Sequence, residues 1–368
     1  MLQDLSSGVI YRNPKAHICS RHAYFPSSVQ LPSGELVATF SLGEAFESED
    51  CHLFLSRSSD LGQSWSEPAA VSPTISDQAI SEFGRISWVG NQAVLLLVHC
   101  DRSHYPGEGL TNPANMGFVP TQFKIQWSSD DTLTAWTDPE DIQSPLEGPC
   151  FELCCPITPL SDGRWLLPTS TWSDWDGNLA NGYRMLAMVS HDQGRSWPEW
   201  LDVMHYEEGP RYYWESKIIE LSDGTLFANA WVYDPQQEVD LPSQYALSRD
   251  AGQTWTEPLS MELFGQTMTP IELADGRLLN VYRRMDEPGL WAQISRLDGD
   301  KWVNEACQPL WGHTVADLAK HEDTMVDHFR TLRFGAPDMI QLDNGEIFLS
   351  FWCYEDCVSV IRWFRFRV

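Results

Sequence analysis

Short apolar runs come in pairs along this chain, each pair hinged on a glycine. "QLPSGELVATF" turns at Gly34, "PLSDGRWLLPT" at Gly163, "ELSDGTLFANA" at Gly224, "ELADGRLLNVY" at Gly276 and "QLDNGEIFLSF" at Gly345. A weaker version, "SWVGNQAVLLLV", turns near Gly90. Two apolar runs around a tight turn predict an antiparallel hairpin, and the glycine supplies the positive φ that such turns need.

A second motif follows the hairpins. "SSDLGQSW" spans 58–65, "SHDQGRSW" spans 190–197 and "SRDAGQTW" spans 248–255, with degenerate relatives "SSDDTLTAW" and "SRLDGDKW" starting at Ser128 and Ser295. In the pattern S-x-D-x-G-x-[ST]-W the aspartate accepts backbone N–H bonds, the glycine makes the turn and the tryptophan staples it down. Two hairpins per repeat give four strands. The six turns recur at roughly 60-residue spacing, which predicts a six-bladed β-propeller, an all-β fold of four-stranded antiparallel blades. The reading is one domain over 1–368, with a strand near 8–12 completing the last blade and closing the ring. The only helix it expects is a short one around 314–320.

Asp-box turns alternating with L-x-D-G hairpins resemble the sialidase (neuraminidase) superfamily, also called BNR-repeat proteins, over almost the whole chain. The resemblance implies a glycoside hydrolase in which three arginines grip a substrate carboxylate. A Tyr/Glu pair supplies the nucleophile and an aspartate is the acid/base. Glu215, six residues before Leu221 of its hairpin, falls where the family places its glutamate. Three positions depart from the pattern. In "SRHAYFPSSVQ" Pro26 fits, but a tyrosine or phenylalanine stands at the arginine's place and Arg21 is displaced. Trp231 replaces the arginine after the Glu215 hairpin, and "RFGAPDMIQL" has no tyrosine at the nucleophile's place. The chain reads as a divergent member, lacking much of the arginine triad and the catalytic tyrosine.

Independently of any family, residues just before a blade's innermost strand and just after its hairpin partner should gather at one mouth of a propeller. Those positions hold Arg21, His22, Tyr24, Glu82, Arg85, Glu152, Arg211, Tyr213, Glu215 and Thr267 on one side of the hairpins. His99, Asp101, Trp172, Trp231, Arg283 and Arg333 belong to the same set. Polar strand ends are also ordinary in any β protein. As chemistry, Glu215 reads as one carboxylate of a hydrolytic pair, with Asp101, Glu82 or Asp174 as its partner. Tyr213 shares a strand face with it by period-2 alternation. Arg21, Arg85 and Arg283 supply clamps, and Tyr24, His99, Arg211, Trp172 and Trp231 complete the expected substrate contacts. His22 stands with Arg21 and Tyr24 as the other catalytic candidate. As the alternative, an arginine with His and Tyr suits a lyase that cleaves a uronate-containing glycan by β-elimination. Seventeen tryptophans leave a non-catalytic glycan-binding propeller as a third reading.

Bulk properties narrow the partners. Lys+Arg 24 against Asp+Glu 52 gives a formal charge of −28, which opposes nucleic acid and anionic membranes. The expected partner is a glycan or small sugar, and oligomeric state is not legible. The first residues lack a basic region before an apolar block, and no apolar run approaches the ~20 residues of a membrane span. Nine cysteines, with Cys154 and Cys155 adjacent and no CxxC pair, read as reduced thiols of a cytoplasmic protein. Neither a cofactor motif nor a metal motif is expected; "CYEDC" at 353–357 reads as strand residues.

Overall fold

A computed structural model describes residues 1–71, 79–130, 132–148, 150–152, 155–319 and 324–368. They form six antiparallel sheets in chain order. The first holds His22–Gln30, Leu36–Gly43, His52–Ser58 and Ala69–Ala70; the second Ile80–Val89, Gln92–Asp101, Thr121–Trp127 and Glu140–Asp141. The third holds Cys150–Phe151, Trp165–Trp172, Arg184–Ser190 and Glu199–His205, with the two-residue Thr158–Pro159 added to it. The fourth runs Tyr212–Glu220, Leu226–Asp234, Val239–Ser248 and Leu259–Ser260, and the fifth Gly265–Glu272, Leu278–Arg284, Leu290–Asp298 and Lys301–Trp311. The sixth holds Phe334–Gln341, Ile347–Glu355 and Val358–Arg367, with Gln3–Tyr11 hydrogen-bonded along the edge of the last. Six such sheets make a six-bladed β-propeller.

The chain divides into two compact units, 143–335, and 2–142 with 336–368. Within the first, Leu166, Met185 and Val189 of the third sheet pack on Ile218, Ala228 and Val232 of the fourth. Phe227 and Tyr245 of the fourth pack with Met268, Tyr282 and Trp302 of the fifth. Within the second unit, Val37 and Leu53 meet Ile86, Leu95 and Leu97. Sheets covered on both faces explain why the second strands read as unbroken apolar runs. Leu36–Gly43 and Leu226–Asp234 are buried at every residue.

Polar links order neighbouring sheets. The Ser161 amide and hydroxyl both donate to Glu220, at 2.7 and 2.6 Å. Ser222 repeats this on Glu272, at 2.6 and 2.8 Å. The glutamate that opens an E-L-x-D-G hairpin thus reads the turn serine of the preceding sheet. The three S-x-D-x-G-x-[ST]-W turns also share one geometry. Asp60, Asp192 and Asp250 each accept the amide and hydroxyl of the residue four later. The tryptophan Nε1 then donates to the turn glycine's carbonyl.

Four inner strands carry a feature that period-2 reading does not anticipate. Phe25, Glu215, Thr267 and Ala336 have φ of 54, 54, 51 and 46°, each nine residues before its hairpin glycine. Register breaks flank the first three, at Tyr24/Ser27, Trp214/Lys217 and Gln266/Thr269. These are β-bulges that hold a non-glycine residue in the left-handed region. The corresponding place in the third sheet is Cys154, which lies outside the described residues. In the second sheet Ile80–Val89 pairs with Gln92–Asp101 without a break.

The expected helix at 314–320 is replaced by a 3₁₀ turn at Ala316–Leu318 and a short α-helix at Met325–Arg330. Lys320 lies outside the described residues. Thr324 caps the α-helix, its side chain accepting from the Asp327 amide, which starts the helix later than composition alone indicates.

Candidate functional site

In the unit 143–335 the bulges gather a carboxylate relay. The Glu152 side chain accepts the bulge amide of Glu215, and Glu215 Oε2 accepts the bulge amide of Thr267 at 2.5 Å. Each αL residue turns its N–H out of the ladder, and the carboxylate of the preceding sheet satisfies it. Glu215 is only partly buried. Its charge acts on Arg283, which is buried. Burial pulls the Arg283 pKa below its usual value, while the Glu215 and Asp240 charges oppose that pull. Arg283 donates Nε to Gln266 Oε1 at 2.9 Å and Nη1 to the Phe334 carbonyl at 2.7 Å. Beyond it lies a cavity of about 40 Å³ whose lining includes Arg283, Arg284, His328 and Arg333.

Next to the relay stands an aromatic cluster centred on Trp214. Trp172 stacks on it at 4.8 Å and Tyr212 at 4.5 Å, while Trp231 meets it edge-on at 4.7 Å. Trp231 Nε1 is fixed by Asp240 at 2.7 Å. The expected Tyr213–Glu215 pairing fails on geometry, because the bulge after Trp214 breaks the alternation on which it rested. Tyr213 packs in the apolar core between the third and fourth sheets, and desolvation pushes its pKa up to about 12. A phenol that is hard to ionise is a poor nucleophile. Arg211 lies flat on the Tyr206 ring, 3.4 Å from its centroid. Asp174 accepts from Asn178 and caps its own loop.

In the other unit the matching residues are differently employed. Arg85 is buried and donates Nη1 to the carbonyls of Phe25 and Pro26, at 3.0 and 3.1 Å. Arg21 is exposed and stacks over Phe54 at 5.0 Å. Tyr24 is fully buried, shares a 2.7 Å hydrogen bond with the Tyr354 hydroxyl and contacts Phe46 and Trp352 edge-on. Burial, followed by its bond to Tyr354, raises its pKa. His22 Nδ1 accepts the Ser359 amide at 3.0 Å, and desolvation lowers its pKa. The accepting nitrogen is committed to the backbone and is not available as a base. Glu82 accepts the Leu53 amide at 3.0 Å and meets His99 Nε2 at 2.8 Å. Burial alone would raise the Glu82 pKa, but the bonds to His99 and Leu53 outweigh it and hold it low. Asp101 accepts the amide and hydroxyl of Ser103, which lower its pKa.

Of the residues selected in the sequence, the structure brings Glu215 and Arg283 into electrostatic contact, and His99 against Glu82. Arg21 and Arg85 each serve a separate neighbour, while the Arg211 charge bears on Tyr213. Position alone singles out Glu152 and Thr267 in the sequence, and nothing there singles out Gln266, His328 or Phe329. Proline inside an otherwise apolar strand, at Pro26 and Pro337, is a sequence signal for the bulges at Phe25 and Ala336, whereas Ser216 and Met268 leave those at Glu215 and Thr267 unmarked. Among the described residues no group of three or more His, Cys, Asp or Glu is arranged to hold a metal ion, and no helix is long and apolar enough to cross a membrane.

Fold and site together define a six-bladed propeller with one carboxylate, Glu215, set on a strained bulge. Comparison with solved structures finds this fold among sialidases. The chain superimposes on an intramolecular trans-sialidase from Ruminococcus gnavus with a TM-score of 0.65 and 12% identity, covering 98% of this chain and 97% of that one. The NanB sialidase from Streptococcus pneumoniae gives 0.66 and 11% identity, over 98% of this chain and 70% of that one. A protein of unknown function from Dyadobacter fermentans gives 0.72 and 19% identity over 99% of both chains. At these identities the likeness is one of fold. No family model matches the sequence, and no curated protein does.

Proposed function

We propose that the protein is a glycoside hydrolase acting on an acidic sugar, with Glu215 as a catalytic carboxylate and Glu152 as its neighbour in the relay. The observation that carries this reading is Glu215 itself. A glutamate held at φ 54°, partly accessible and beside a buried arginine, occupies a backbone state that costs about 1–3 kcal/mol. Such strain collects at functional sites because it fixes the direction of a side chain. Two carboxylates flanking a glycosidic bond suffice for hydrolysis, one as acid and one as nucleophile or base. The arginine-lined cavity beside Arg283 supports an anionic substrate group. A second reading, elimination from a uronate glycan, is favoured by His99, an imidazole backed by the buried carboxylate of Glu82.

Incubation with sialosides, uronate-containing oligosaccharides and neutral aryl glycosides separates these outcomes. Released reducing sugar without unsaturation supports hydrolysis, and an absorbing unsaturated uronate supports elimination. Glycan binding without turnover makes the protein a lectin. The Glu215→Gln variant keeps the acceptor for Thr267 and should lose turnover by about 100-fold or more with an unchanged melting curve. Normal turnover in that variant would remove Glu215 from the chemistry.

A further inference from the structure

Between Trp311 and Phe334 the chain carries the helix Met325–Arg330, which has only six residues and buries only Met325 and His328. A helix this short does not hold itself together; tertiary contacts must do so. Two contacts dominate. His328 Nε2 bonds Gln266 Oε1 at 2.9 Å, and the Phe329 ring sits against three indoles. Its centroid lies 6.3 Å from Trp172, 6.0 Å from Trp214 and 6.3 Å from Trp231. The indoles come from strands of the third and fourth sheets, whereas the ring that closes them off comes from a separate surface element. Asp327 and Arg330 on either side of that ring are exposed, and Phe329 itself is only partly buried. On the Trp214 ring that it contacts, the Nε1 donor is buried without a hydrogen-bond acceptor. A buried indole N–H without a partner is costly, and an apolar phenyl ring cannot satisfy it.

We propose that Phe329 fills a pyranose-stacking subsite walled by Trp172, Trp214 and Trp231, and that the helix Met325–Arg330 is an autoinhibitory lid over it. Indole faces stack on the C–H face of a sugar ring, and a sugar hydroxyl is the acceptor that Trp214 lacks. The choice of a saccharide as occupant rests on the glycosidase reading above. Binding of the sugar and seating of Phe329 are mutually exclusive, so the resting protein reports an affinity lowered by the closed fraction.

The test uses the full chain with three probes: methyl β-D-glucuronide, the methyl α-glycoside of N-acetylneuraminic acid and methyl β-D-galactoside. Tryptophan fluorescence reads both binding and acrylamide quenching. Phe329→Ala should increase quenching and tighten binding of at least one probe about tenfold or more. Thr324→Ala removes the helix cap without touching the indoles and should shift both readouts the same way, by a few-fold. Should Phe329→Ala fail to fold, Thr324→Ala and hydrogen exchange on the unmodified protein decide the matter. A displaced lid exchanges its helix amides faster when the probe binds. Unchanged affinity for all three probes in the folded variants, or helix amides that slow on binding, overturns the proposal. All these readouts are of binding and opening, so a failure of Glu215→Gln to affect turnover leaves them intact.

Discussion

The bulges at Glu215 and Phe25 are the same backbone device with opposite contents. Both residues have φ 54°, and both stand nine residues before a hairpin glycine. Each follows a fully buried aromatic residue, Trp214 in one unit and Tyr24 in the other. At Glu215 the side chain is a carboxylate that reaches the amide of the next bulge, at Thr267. At Phe25 it is a ring packed on Phe46 and Phe83, and the bulge is secured through its carbonyl, which accepts from Arg85. The repeat therefore specifies a strained backbone at a fixed distance from each turn. What occupies it decides whether the position presents chemistry or packing.

The largest effect that probes this contrast should come from Arg85→Met. Two bulge carbonyls lose a charged donor in a buried place, and unfolding by urea should report a loss of about 3 kcal/mol. Glu215→Ala strands the Thr267 amide and removes a charge that faces Arg283, and should cost about 1–2 kcal/mol in the same titration. Equal losses would mean that the two bulges are secured alike and that the contrast is false. A smaller effect follows from His22, whose pKa burial lowers from its ordinary 6.5. As pH falls below about 6.5 the unfolded chain takes up the proton before the folded one does. Its stabilising contribution is complete above that pH and drains as pH falls through the lower, folded value. His22→Asn should flatten this part of the stability–pH curve, and an unaltered curve would assign the dependence elsewhere. The smallest effect belongs to the exposed turns. Hydrogen bonds from Ser64, first its hydroxyl and then its amide, hold Asp60 at about 2 against an ordinary 3.8. That contribution persists above about 3.8 and vanishes as pH drops toward 2. Asp60→Asn should move acid unfolding only slightly, measured by circular dichroism between pH 4 and 2.

Much of the architecture was legible because turns obey local rules. A glycine between two apolar runs and an aspartate four residues before a Ser or Thr each predict a shape without knowledge of neighbours, and those residues form those shapes here. The site was less legible, since it depends on what lies across the gap between sheets. Arg85 and Arg283 read as clamps, yet each spends hydrogen bonds on carbonyls supplied by another sheet, Phe25 and Pro26 for one and Phe334 for the other. Tyr213 and Glu215 sit two apart, which means one face only in an unbroken strand. One bulge moved the tyrosine into the core. The helix at Met325–Arg330 escaped for a related reason. Its anchors, Phe329 and His328, are explained only by Trp214 and Gln266, more than 60 residues earlier in the sequence.

The edge strand Gln3–Tyr11 has a consequence for the order of events during synthesis. Among the described residues it pairs with Val358–Arg367 alone, with Gly8 opposite Trp363 so closely that an added Cβ would lie 2.7 Å from the indole. On a ribosome this strand emerges before all six hairpins and waits for Val358–Arg367 before it acquires its partner. Through that interval its amides and carbonyls are an unpaired edge able to join another nascent chain. Long-range closure of this kind is slow, because loop entropy is lost before any contact compensates for it. Shortening the wait, by grafting 3–11 after 367 through a flexible linker, should raise the yield of folded protein more than its stability.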